Sequence, residues 1–265
     1  MKLIIFLLLS FLAQAVELQK AKIYSDDKNI TNWYMSEKLD GIRGFWDGKT
    51  LQTRASKELF APKDFTHNFP PFELDGELWT KRGDFENIQN IVMDKNPTNW
   101  DKITYNIFEA PNNAGNFDTR LQKAKDWFTL HPNKYVRFIE QTKCSSTKDL
   151  HNFLDKILKL GGEGLMLKNP DALYKNGKSD DILKFKKYND DEGEVVKINI
   201  SKKTGKIGSL TLKLSNGVVF NLGSGFDSKF HQNPPKIKDM VTFKFFGFTK
   251  NGKPKFASFI HIRRD

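Results

Sequence analysis

Ser36-Glu37-Lys38-Leu39-Asp40-Gly41-Ile42-Arg43-Gly44 is the stretch on which the reading of this chain turns. It sets a lysine at the end of a strand-like run, an Asp-Gly turn signal two residues on, and an arginine entering the next run. An exposed hairpin with charged flanks is the ordinary product of such a pattern, and a bare Lys-x-Asp-Gly match is usually that. Chemistry is the other product. A lysine amine is a nucleophile once deprotonated, and burial and neighbouring cations both lower its pKa. The turn at Asp40-Gly41 is expected to point Lys38 into a pocket and to return Arg43 beside it.

Three segments further along bear on the choice. Phe72-Glu73-Leu74-Asp75-Gly76-Glu77-Leu78 carries Glu77 in an alternating run, where a plain strand would simply expose it. Gly161-Gly162-Glu163-Gly164-Leu165-Met166 sets a carboxylate between glycines, after a helical pattern and before a strand-like one. Glycines there allow close backbone approach to a ligand, and the carboxylate is suited to Mg²⁺. Leu183-Lys184-Phe185-Lys186 directs two lysines to one face of a strand, since strand side chains alternate. Two such cations are either solvated at a sheet edge or held together by an anion, and a phosphate would serve.

Around these segments, residues 16–189 alternate strand-like and helix-like stretches. Expected strands are 33–37, 42–46, 73–79, 103–108 and 164–168; expected helices are 84–93, 118–130 and 147–160. Leu150, Phe153, Leu154, Ile157 and Leu158 recur at helical spacing and stop at Gly161-Gly162. The mixture predicts an α+β domain built on antiparallel sheets. Asn189-Asp190-Asp191-Glu192-Gly193 reads as a polar, flexible hinge. Beyond it, within residues 190–265, nearly everything reads as strand, in an all-β domain: 194–200, 210–214, 218–222, 241–248 and 256–262, with hairpin signals at Asn216-Gly217 and Asn251-Gly252. Five short strands suit a small barrel, either the oligonucleotide-binding (OB) type or the SH3-like type.

Composition narrows the partners. The 265 residues carry 43 Lys and Arg against 32 acids, a formal net charge of +11, so a polyanion such as nucleic acid or an anionic membrane surface would be attracted. The lysines are spread among Phe and Tyr, which favours a face that follows a phosphate backbone. The single cysteine, Cys144, excludes an internal disulfide and cysteine-rich zinc sites. At the N-terminus, Met1 to Ala15 has one lysine, an apolar run and Ala-Gln-Ala, the pattern of a secretory signal peptide. The run is shorter than the roughly 20 residues a membrane-spanning helix needs. The expectation is therefore an exported, periplasmic protein whose mature part begins near Val16, with no membrane partner.

In order, KLDGIR from Lys38, LDGELW from Leu74, YNIFEAP from Tyr105, GGEGLMLK from Gly161 and LKFKKY from Leu183 resemble the collinear motifs of the ATP-dependent DNA ligases. These belong to the covalent nucleotidyltransferase superfamily. FKFFGFTKNGKPKFASFIHIRR, from Phe243, is similar to the end of the minimal exported bacterial (E-type) ligases. The resemblance implies an adenylation domain followed by an OB-fold barrel, acting as a monomer on nicked double-stranded DNA with ATP and Mg²⁺. By resemblance, Lys38 takes the AMP. Asp40 and Arg43 contact the nick's 3′ hydroxyl and the nucleotide, and Arg54 engages AMP and the 5′ phosphate. Glu77 binds the ribose, Phe108 stacks on adenine and Met166 covers the base's other face. Lys184 and Lys186 hold the α-phosphate, and Glu163, with Glu77, is the expected metal ligand.

The stretch from residue 16 to Lys38 is too short for the nicotinamide-binding segment of NAD-dependent ligases, so ATP is the expected cofactor. The late Arg-x-Asp-Lys type of barrel motif is not recognisable, and neither Arg263 nor Arg264 is assigned to its place. An RNA ligase or capping guanylyltransferase of the same superfamily, or a catalytically inactive nucleic-acid-binding module, are the alternatives to a DNA ligase.

Overall fold

The computed structural model describes residues 17–186, 188–249 and 251–264. The signal-peptide reading of residues 1–15 lies outside them. No helix among the described residues is long and apolar enough to cross a membrane.

The chain runs β1 (Gln19–Ile23), β2 (Tyr34–Glu37), β3 (Ile42–Trp46), β4 (Leu51–Thr53), β5 (Leu74–Trp79), α1 (Phe85–Met93), β6 (Thr104–Glu109), α2 (Phe117–Leu130), β7 (Val136–Phe138), β8 (Thr142–Lys143), α3 (Thr147–Lys159), β9 (Leu165–Lys168) and β10 (Gly177–Phe185). It continues through β11 (Asn189–Ile200), β12 (Ile207–Leu214), β13 (Val219–Leu222), α4 (Ser228–Gln232), β14 (Met240–Phe245) and β15 (Ser258–Arg263). Two compact units result. One comprises the described residues up to Lys22 with Leu39–Gln141 and Lys168–Ile182; the other comprises Ile23–Lys38, Thr142–Leu167 and Leu183 onward.

In the first unit a sheet has the order β4-β3-β5-β6-β7. Its pairs are antiparallel except β6 with β7, which run parallel, a departure from the expected all-antiparallel arrangement. The parallel pair follows from α2, which supplies the crossover that parallel neighbours require. Alternation along β3 and β5 buries Ile42, Leu74 and Leu78 completely. Gly76 lies under the ring of Tyr105; a Cβ there would sit 2.6 Å from the ring, which explains a glycine in mid-strand. Asn116 caps α2 by accepting from Thr119 N.

In the second unit, Leu150, Leu154 and Ile157 of α3 pack with Met35, Leu165, Leu167 and Leu183. Ser146 caps this helix by accepting from Asp149 N, and Gly161, at φ 79°, ends it as expected. The sheet holding β2 and β9 has the order β1-β10-β9-β2-β8.

The remaining sheet, β13-β12-β11-β14-β15, is the five-stranded array expected beyond residue 190. Its core gathers Val195, Leu210, Leu212, Phe220, Val241 and Phe243. Ser224, just after β13, is tied to the β15 edge: it accepts from Phe259 N at 2.9 Å and donates to Ala257 O at 2.7 Å. Asn189–Gly193, read from the sequence as a polar, flexible stretch, are strand and not loop. Those residues open β11 and pair with β14, Asn189 opposite Phe245 and Gly193 opposite Val241. Their polar side chains read as loop, but the ladder uses backbone groups, which every residue supplies.

Candidate active site

Lys38 directly follows β2, and its backbone N–H donates to Gly164 O at 2.9 Å. That bond brings the two motif segments, far apart in sequence, into one place. A Cβ on Gly164 would lie 2.5 Å from Phe185 O, so the glycine allows close backbone packing against the end of β10. Lys38 Nζ donates to Glu163 Oε2 at 2.5 Å, and Lys186 Nζ donates to Glu163 Oε1. Lys186 also pairs with Asp190 Oδ2 at 2.8 Å, and Lys184 with Asp190 Oδ1 at 2.9 Å. Three cations and two carboxylates thus form one chain of ion pairs inside the second unit.

The lysine charges oppose burial at the two acids, and the charge of Lys38 adds to burial at Lys186. Burial alone would raise Glu163, but Lys38 and then Lys186 outweigh it and hold its carboxyl below the ordinary glutamate range. Burial likewise acts against Asp190, and Lys186, Lys184 and Lys38 hold it well below the ordinary aspartate range. Lys186 is pulled below the ordinary lysine range by burial and by the charge of Lys38. Within the second unit, Lys186 supplies a cation beside Lys38, across Glu163.

Arg43 lies in the first unit, directly opposite Glu77 across β3 and β5. Its Nε and Nη2 donate to Asp75 at 2.8 and 2.5 Å, a diagonal two-pronged grip, and its Nη1 donates to Gln19 O. The guanidinium also lies 5.6 Å from the centre of the Phe108 ring. Glu77 Oε1 accepts from Gly41 N at 3.1 Å. Asp40 accepts from Trp79 Nε1 at 2.9 Å and from Gly83 N at 2.7 Å, so its carboxylate fixes the turn between β2 and β3. Arg54 is half-buried in the turn after β4, closed by Thr53 N–H to Lys57 O at 2.8 Å. Met166 is half-buried on β9.

Three groups escaped sequence reading. Asp75 is buried and holds Arg43; the alternation that places Glu77 on one face of β5 puts Asp75 on the same face. Asp190 bridges the lysine pair. The third is a buried triad: Glu109 accepts from Arg120 Nε at 2.9 Å, Arg120 Nη2 at 3.0 Å and Lys168 Nζ at 2.9 Å. Arg120 further donates to Gly115 O and Ala172 O. Lys168 lies 4.3 Å from the ring centre of Phe117.

No group of three His, Cys, Asp or Glu suited to a metal ion occurs among the described residues. Glu163 is ionised and offers hard oxygen. That suits Mg²⁺, which is usually held by one or two carboxylates together with substrate phosphates.

Comparison with known proteins fits this geometry. The sequence profile of the ATP dependent DNA ligase domain matches residues 11–186, and that of the DNA ligase OB-like domain matches residues 201–263. The chain is 38% identical over 259 residues to a DNA ligase of Haemophilus influenzae, covering 97% of this chain and 96% of that protein. Among solved structures, a Lig E DNA ligase studied for DNA binding with a minimal scaffold is 41% identical, covers 93% of this chain and 98% of its own, and superposes with a TM-score of 0.65. The Chlorella virus DNA ligase-adenylate is 25% identical, covers 95% and 99%, and gives a TM-score of 0.58. The chain belongs to the ATP-dependent DNA ligases.

Proposed function

We propose that this chain, acting as a monomer, seals nicks in duplex DNA through an AMP covalently held on Lys38. The observation that carries the reading is the placement of Lys38 Nζ with Lys186 about a single carboxylate, Glu163. In the first step the deprotonated Lys38 amine attacks the α-phosphorus of ATP, forming an N–P bond as the bond to pyrophosphate breaks. The DNA 5′ phosphate then takes the AMP from Lys38. Finally the 3′ hydroxyl attacks that 5′ phosphorus, loses its proton and expels AMP. Lys184 and Lys186 receive the α-phosphate charge as it moves. Glu163 is the ligand for Mg²⁺, which when bound neutralises phosphate oxygens. Arg43, Phe108 and Glu77, gathered on β3, β6 and β5, hold the nucleoside, with Met166 on the base; Asp40 and Arg54 serve the two ends of the nick.

Incubating the purified chain with ATP and Mg²⁺ is expected to add the mass of one AMP by intact mass spectrometry, and nicked DNA should then remove it. A chain that never gains that mass sinks the proposal.

DNA contact is proposed for the lysine- and phenylalanine-rich end of the OB-like sheet. Phe246, Phe248 and Phe256 are exposed there, Phe256 at 81%, beside Lys244, Lys253 and Lys255. Aromatic faces and ammonium groups of this kind suit bases and phosphates. Phe256→Ala is expected to weaken nick binding by about 1–3 kcal/mol while leaving AMP uptake unchanged. Equal loss of both activities would argue for misfolding instead. Because the net charge is +11, nick affinity should also fall steeply between low and moderate salt, which a titration at several ionic strengths will read.

Residues 1–15 are proposed to export the chain to the periplasm. Recovery of the protein from the periplasmic fraction, beginning near Val16, is the expected outcome.

A further inference from the structure

Lys184, in the last residues of β10, and Lys186, just past its end, both reach the same carboxylate, and such a pair repels unless an anion lies between them. The anion in this structure is the chain's own. Asp190 accepts from Lys184 at one oxygen, 2.9 Å, and from Lys186 at the other, 2.8 Å. Lys184 Nζ also donates to the Asp190 backbone carbonyl at 3.1 Å. A carboxylate with each oxygen on a different ammonium makes the same demand on geometry as two non-bridging oxygens of a phosphate. The Lys186 side chain is only 2% exposed and is shared between two carboxylates, Asp190 and Glu163, so the loss of either removes compensation from a buried charge.

We propose that Asp190 is an internal surrogate for the nucleotide α-phosphate: it keeps the two lysines at receiving spacing and gives up its place when a nucleotide arrives. This rests on the reading that Lys184 and Lys186 bind that phosphate. Exchange of one anion for another never leaves the lysines unpaired, but the nucleotide must displace a bidentate competitor, which lowers its affinity. Asp190 is also the second residue of β11, opposite Lys244 of β14. Its release would also strip the Lys184 contact from the Asp190 backbone carbonyl, so the start of the first strand of the OB-like sheet senses phosphate binding at the lysines.

AMP is a suitable probe, since it carries the phosphate and cannot react. By calorimetry on the full chain, Asp190→Asn, which keeps the shape and removes the charge, is expected to bind AMP roughly tenfold tighter, and Asp190→Glu close to the natural protein. A purely structural role would not raise affinity. A folded Asp190→Asn that binds AMP equally or more weakly overturns the proposal. Should that variant fail to fold, hydrogen exchange of the natural protein decides: AMP is expected to speed exchange of backbone amides at 189–193, and an unchanged rate overturns the proposal. If the natural protein neither binds AMP nor acquires it from ATP, the lysine-pair reading itself has failed, and the surrogate falls with it.

Discussion

Lys38→Arg is expected to yield a folded protein that takes up no AMP. Arginine keeps the positive charge and can still reach Glu163, so the ion-pair cluster with Lys186 survives. Its guanidinium is protonated at every accessible pH, and it is therefore not a nucleophile. The substitution separates two roles that Lys38→Ala would remove together. Adenylylation should drop below detection, a loss of at least about 10³-fold, while the thermal midpoint moves by only a few degrees. Nicked DNA already carrying AMP on its 5′ phosphate offers a second reading. The last step breaks no bond to Lys38, so Lys38→Arg should seal that substrate far better than it seals a plain nick. Normal AMP uptake by this variant would place the covalent link on another residue and undo the reaction scheme.

Glu109→Gln is expected to be the most destabilising conservative change in the chain. Glu109 is 1% exposed and answers two cations, Arg120 at 2% and Lys168 at 9%. Removing its charge leaves both in a site from which water is excluded, and breaking a buried pair in this way costs about 3–5 kcal/mol. Urea unfolding monitored by circular dichroism will measure it. Arg120→Met should cost less, because Lys168 still neutralises Glu109. Acid adds an independent check. Burial would raise the Glu109 carboxyl, but Lys168 and Arg120 prevail and hold it below its ordinary value of 4.5. A carboxyl depressed in the folded state contributes stability that is complete above the unfolded pKa and is lost as pH falls through the folded one. The natural protein should therefore lose stability progressively below about pH 4.5, and Glu109→Gln should show a shallower acid limb.

The residues proposed to do chemistry stood out in sequence through unusual neighbours: lysine before an Asp-Gly turn, a glutamate among glycines, lysines two apart. Most helices and the strands β2, β3, β5, β6 and β9 were legible for the usual reason, periodic burial with clear stops. What escaped reading depends on partners distant in sequence. Asp190 looks like part of a solvated acidic run, and only the meeting of β10 with β11 gives it two lysines. Glu109 and Arg120 are eleven residues apart, across the turn into α2, and Lys168 comes from β9. Nothing local marks the three as a set. The strands β1, β4, β7 and β8 span two to five residues and show too little alternation to declare themselves. Asp75, which grips Arg43 from the next strand, is a partner that the motif's order along the chain does not announce.

The bond from Lys38 to Glu163 spans 125 residues of sequence. A nascent chain that has emerged only as far as α3 holds a lysine with neither its glutamate nor its second cation. The amine is thus an ordinary surface lysine until translation has passed Lys186 and long-range loop closure is complete. The proposed loading of Lys38 would therefore require a polypeptide that has already completed this 125-residue closure. A chain delivered across a membrane unfolded before that closure would have to find its ATP on the far side.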